Sequence, residues 1–138
     1  MPEAAKAHTA AGAEAFVKFY WEMVNYAQFT GDLDALEQLG EDGCAACNGG
    51  VKFLRNVYAK GGTVKGGRST VSELHATRLS VGNHDAYEVT FKLANTLQVI
   101  DYEGDKDDQR YPAAIVSGQF VVDPATPGWS VGFWTTQS

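Results

Sequence analysis

The hydrophobic period of this chain changes once, from helical before Gly61 to alternating after Gly67. A helix returns its side chains to one face every 3.6 residues and a strand every two, so a single switch divides the chain into an α part and a β part. With 138 residues, 44% of them hydrophobic, there is material for one core and not for two large domains. One domain over 1–138 is expected. Helices first and strands after make an α+β domain, with the helices packed on one face of an antiparallel sheet.

Residues 11–28 predict the first helix. Phe16, Phe19, Tyr20, Met23 and Ala27 recur at helical spacing, and Val17, Trp21 and Val24 widen the stripe. A stripe that broad belongs in a groove with protein on more than one side. Glu14, Lys18, Glu22 and Asn25 supply the polar face. Thr30, Gly31 and Asp32 stop the helix, and Asp32 is placed to cap a short second one through Leu33, Leu36 and Leu39. A third helix is expected over 44–60, with Val51, Leu54, Val57 and Tyr58 as its buried stripe. Gly49 and Gly50 weaken its opening by roughly 1 kcal/mol each and can delay its start.

In the β part, Tyr87, Val89, Phe91 and Leu93 alternate with Glu88, Thr90 and Lys92, a strand with one wet face. A strand over 70–81 precedes it through the turn Gly82-Asn83-His84-Asp85. Segments 96–102 and 111–122 flank an acidic turn, and Trp129, Val131 and Phe133 alternate in a last strand. The total is a sheet of four or five strands. Ile115 and Val121 lie opposite Val116, Gly118, Phe120 and Val122, so the second face of that strand is expected to need a cover, a homodimer among the candidates.

Seventeen acidic against eleven basic residues give a net charge of -6, which repels phosphate backbones and anionic headgroups, so nucleic acid is not expected as a partner. No apolar stretch reaches the roughly 20 residues that span a bilayer. Residues 1–12 lack the apolar run of an export signal, and 1–10 are expected as a flexible tail.

The segments Ala15-Phe16-Val17-Lys18-Phe19-Tyr20-Trp21, Asn25-Tyr26-Ala27, Thr30-Gly31-Asp32 and Cys44-Ala45-Ala46-Cys47 resemble an uncharacterised family of actinobacterial lipoproteins. The order of elements resembles the NTF2-like, or cystatin-like, cone: three N-terminal helices on a curved antiparallel sheet. The resemblance implies a domain that follows an export signal, a lipidated cysteine and a flexible linker. Its location would be extracytoplasmic, held at the membrane only through a lipid anchor that this sequence lacks. It implies no known activity.

Cys44 and Cys47 are the one recognisable short motif. A C-x-x-C pair at a helix start can exchange electrons or contribute half of a zinc site. His8, His75 and His84 are scattered and no second pair exists, so no metal is expected. The exported setting implied by the resemblance favours a local disulfide at the start of the third helix, worth on the order of 2 to 3 kcal/mol. Asp101, Glu103, Asp105, Asp107 and Asp108 look superficially like a calcium loop, but Lys106 and Pro112 stand where such a loop needs Gly and Glu. A solvated turn is the simpler reading.

Cones of this kind often enclose an apolar pocket. Tyr20, Tyr26, Tyr58, Tyr87, Phe91, Trp129 and Phe133 are placed to line one, with Tyr20 and Trp129 facing a common space. His75, expected at the surface, and Asp101 are the candidate bases, and neither belongs to a catalytic pattern, so no catalytic residue is assigned. The expected function is a non-catalytic module, without a cofactor, that binds a small apolar ligand or a protein partner at the cone mouth. The alternatives are a cofactor-independent isomerase, dehydratase or cyclase of the same superfamily, and a thiol oxidoreductase.

Overall fold

The first helix, α1 (Ala10–Thr30), starts where the Thr9 side chain accepts from the Gly12 N–H at 3.1 Å. It stops at Gly31, whose φ of 78° lets its N–H close on the Ala27 carbonyl at 2.8 Å. The computed structural model describes residues 1–81, 84–102 and 108–137. A short α2 (Asp34–Leu39) follows; its N-cap position is Leu33 rather than the expected Asp32, which accepts from the Asp34 N–H at 3.3 Å from one residue earlier. The third helix, α3 (Ala45–Ala59), runs through both glycines without delay. Its Cys44 Sγ accepts from the Cys47 N–H at 3.2 Å, and the two cysteines are joined in a disulfide.

The β part is two antiparallel sheets rather than one. The larger has the order β2 (Ser69–Val81), β3 (His84–Asn95), β6 (Ala114–Pro124), β7 (Trp129–Gln137). The smaller has the order β1 (Gly62–Gly66), β4 (Gln98–Tyr102), β5 (Gln109–Tyr111). The expected single sheet of four or five strands fails at one corner. There the chain turns from β1 into β2 through Gly66 and Gly67, with φ of 67° and 74°, directly against the turn from β3 into β4. The Gly67 N–H donates to the Leu97 carbonyl at 2.9 Å and the Thr96 N–H to the Arg68 carbonyl at 3.1 Å. A Cβ at Gly66 would sit 2.1 Å from the Leu97 oxygen, so only glycine permits the approach.

The buried face of the large sheet carries Val89, Phe91, Leu93, Phe120, Val122, Trp129 and Val131 against the helices. Phe120 is fully buried, within 6 Å of the Tyr20, Trp21, Phe91 and Trp134 rings. The opposite face is mainly polar, crossed by the Gln119–Glu88 hydrogen bond at 2.8 Å and the Lys92–Glu73 ion pair at 3.3 Å. Ile115 and Val121 do point to it, but six strand positions separate them, roughly 20 Å.

Two expectations need correction. Residues 1–10 are not a loose tail: a 3-10 helix, Glu3–Lys6, buries Ala5 completely, and His8 Nε2 lies 2.7 Å from the Gly128 carbonyl. The alternation Trp129, Val131, Phe133 also breaks, because Val131 pairs with Val122 while Phe133 pairs with Val121. Gly132 is the extra residue of a β-bulge, which re-phases the strand. Phe133 is left 49% exposed on the outer face, and Trp134 takes the inward place beside Phe120. Among the described residues no helix is long and apolar enough to cross a membrane.

Candidate functional site

On α1, Tyr20, Trp21, Val24 and Gln28 fall on one stripe; on α3, Cys47, Gly50, Val51 and Leu54 follow the i, i+3, i+4, i+7 spacing of one helix face. The stripes border a cavity of about 240 Å³ that Leu36, Phe53, Gln98 and Trp134 complete. Gly50 contributes no side chain to its wall, and a Cβ built there meets nothing within 4 Å. A glycine inside a helix costs roughly 1 kcal/mol relative to alanine, and here its effect is to leave room.

A second cavity, of about 310 Å³, shares Trp21, Gln28, Gln98 and Trp134 with the first and continues to Ser69, Asn95, Thr96 and Thr136. The shared wall is where the unusual chemistry lies. Trp21 and Trp134 meet edge to face at 5.4 Å, and the indole nitrogens of both are buried without a hydrogen-bond partner among the described residues. Each such donor costs about 1–3 kcal/mol of lost hydration, and native proteins keep few of them. Burial pushes the Tyr20 phenol up to about 12, slightly opposed by the Trp134 N–H. That N–H is near the phenol oxygen without meeting hydrogen-bond geometry.

The amides beside the indoles are fixed. Gln28 Nε2 donates to the Gly67 carbonyl at 2.6 Å, and its Oε1 accepts from Gln98 Nε2 at 2.9 Å. One helical turn earlier, Asn25 is buried too, although its position reads as part of the solvated face.

Of the seven aromatics expected to line a cavity, Tyr20 alone borders the one between the helices. Phe91 supports it from the core, against Trp21 and Phe120. Tyr58 is half-buried and donates to the Gln28 backbone carbonyl. Tyr26 is 41% exposed and bonds Asp32 at 3.2 Å. Tyr87 and Trp129 pair at 5.5 Å, and Trp129 Nε1 donates to the Ala7 carbonyl at 3.2 Å, so Trp129 shares no space with Tyr20. Phe133 is on the outer face. The residues missed are Trp134, placed by the bulge, and Gln28 and Gln98, whose amides face protein instead of water.

His75 is exposed. Asp101 does not point into the core: it pairs with Lys65 at 2.8 Å, and that ammonium holds its carboxyl below the ordinary range. Glu103, Asp105 and Asp107 of the acidic turn, Lys106, and Gly82 and Asn83 of the hairpin, lie outside the described residues. Among the described residues no three potential metal-ligating side chains of the His, Cys, Asp and Glu types converge. Both cysteines are buried, Cys44 fully and Cys47 95%, unlike the partly exposed thiols of redox sites.

Over residues 1–131 the sequence matches DUF6318, a family of unknown function. The chain belongs to that family. No curated protein matches this DUF6318 member. Among solved structures its fold is similar to the intermembrane space region of the chloroplast protein ARC6, with a TM-score of 0.70 and 12% identity over 94% of this chain and 97% of that one. At that identity the likeness concerns the fold alone.

Proposed function

We propose that this DUF6318 domain is a non-catalytic, extracytoplasmic, NTF2-like module of a surface lipoprotein that binds a small apolar ligand between α1 and α3. The observation that carries the reading is the pair of buried, unpartnered indole N–H groups on the wall of an apolar cavity. A ligand with one hydrogen-bond acceptor would satisfy a donor the protein leaves bare, while its apolar part fills the space. The lining supports binding over proton transfer. Its titratable side chain is Tyr20, whose phenol, at about 12, is far from the neutral range a general base needs. The disulfide suits an oxidising compartment.

The test uses Nile red, a neutral apolar dye, with wild type, Gly50→Leu and Gly49→Ala. A Cβ at 50 meets nothing within 4 Å and leucine is the better helix former, so the fold is expected to tolerate the change, and an unchanged melting temperature separates lost binding from unfolding. Position 49 is outside the lining. Saturable dye binding, abolished by Gly50→Leu and kept by Gly49→Ala, is expected. Binding unchanged in Gly50→Leu, or absent from wild type, contradicts the reading.

A further inference from the structure

We infer that the ligand is an uncharged amphipath, with its apolar body between α1 and α3 and a hydroxyl- or amide-bearing head in the adjoining polar cavity. This rests on the reading of the first cavity as a ligand site and adds the chemical class. The two cavities share Trp21, Gln28, Gln98 and Trp134 as a common wall, and a ligand reaching from one into the other would pass these four side chains. Their volumes, about 240 and 310 Å³, each lie near the lower end for a ligand site, and a small two-part molecule suits the pair.

The choice of head follows from what lines the second cavity. Ser69, Asn95, Thr96 and Gln98 supply hydroxyls and amides, and among the described residues neither cavity is bordered by a charged side chain. A carboxylate or ammonium drawn into that space would lose hydration and gain no counter-charge. The net charge of -6 adds a further penalty for an anion. Hydroxyls meet no such penalty, because each can donate to an amide oxygen and accept from an N–H. Donors and acceptors are both on offer at the junction. Among the described residues the Trp21 and Trp134 N–H groups have no hydrogen-bond partner, and the Gln28–Gln98 bond holds the Gln98 amide at the boundary between apolar and polar space.

Calorimetric titration of the full chain with three probes of one tail length separates the possibilities: octyl glucoside, octanoate and octyltrimethylammonium, each below its micellar concentration. Octyl glucoside is expected to bind, with both charged probes about tenfold weaker or worse. Either charged probe binding within tenfold of the glucoside, or more tightly, overturns the inference about the head while leaving the apolar cavity as a site. No binding by any of the three, together with no binding of Nile red, overturns the cavity reading itself. Nile red bound without the glucoside overturns only the head.

Discussion

The Asn25 side chain closes a two-point ring on the Ser69 backbone, donating from Nδ2 to its carbonyl and accepting at Oδ1 from its N–H, both at 2.8 Å. It fixes α1 to the first residue of β2, beside the glycine corner that separates the sheets. Asn25→Ala leaves both backbone groups buried and bare, and a loss of about 2–5 kcal/mol is expected from two unmade bonds. Urea unfolding of the two proteins measures it. A loss below about 1 kcal/mol would mean that water replaces the amide.

Tyr20 predicts an alkaline effect. Its folded pKa, about 12, is above the ordinary value, so the protonated phenol is the form the fold favours. The contribution is whole below pH 10 or so and is lost as pH rises towards 12, about 3 kcal/mol in all. Tyr20→Phe has no proton to lose. Its stability relative to wild type therefore rises over that window, as paired urea titrations at pH 9 and pH 11 will show. Parallel pH curves for the two proteins would place the hydroxyl in water.

Gly118 stands opposite Phe91 in the β3–β6 pair, and a Cβ there would lie 2.3 Å from the ring. The ring cannot retreat freely, because Trp21 and Phe120 pack on it. Gly118→Ala is expected to cost about 1–3 kcal/mol from overpacking, read as a lower melting temperature. An unchanged melting temperature would show slack in the aromatic cluster.

Reducing the Cys44–Cys47 disulfide opens a very short loop, for which chain entropy gives about 2 kcal/mol. A fall in stability of that order, without unfolding at 25 °C, is expected in urea curves run with and without reductant. Complete unfolding on reduction would make the bond a requirement of the fold.

The helices were legible because a broad apolar stripe and strong stop signals act locally: the 11–28 reading differs from α1 by one residue at its start and two at its end. The paired strands around Tyr87 and Phe91 were legible for the same reason. What the sequence concealed depends on contacts distant in the chain. β1 is five residues long with glycine at both ends, and its place is set by β4, almost 40 positions later. The Gly132 bulge exchanges Phe133 for Trp134 without altering the composition of the strand, so alternation alone names the wrong aromatic for the site. Asn25 reads as solvated because a polar residue on a helix usually is, and nothing local singles out Gln28. Their burial depends on the Gly67 and Ser69 backbone arriving from the other half of the chain.

The indole N–H resonances test the central claim most directly. The chain has three tryptophans, and Trp129 is an internal control because its N–H is already bonded to Ala7. In ¹H–¹⁵N spectra assigned with single Trp→Phe variants, titration with octyl glucoside is predicted to move the Trp21 and Trp134 indole signals and leave Trp129 in place. Movement of Trp129 alone, or of none of the three at saturating probe, would contradict the account.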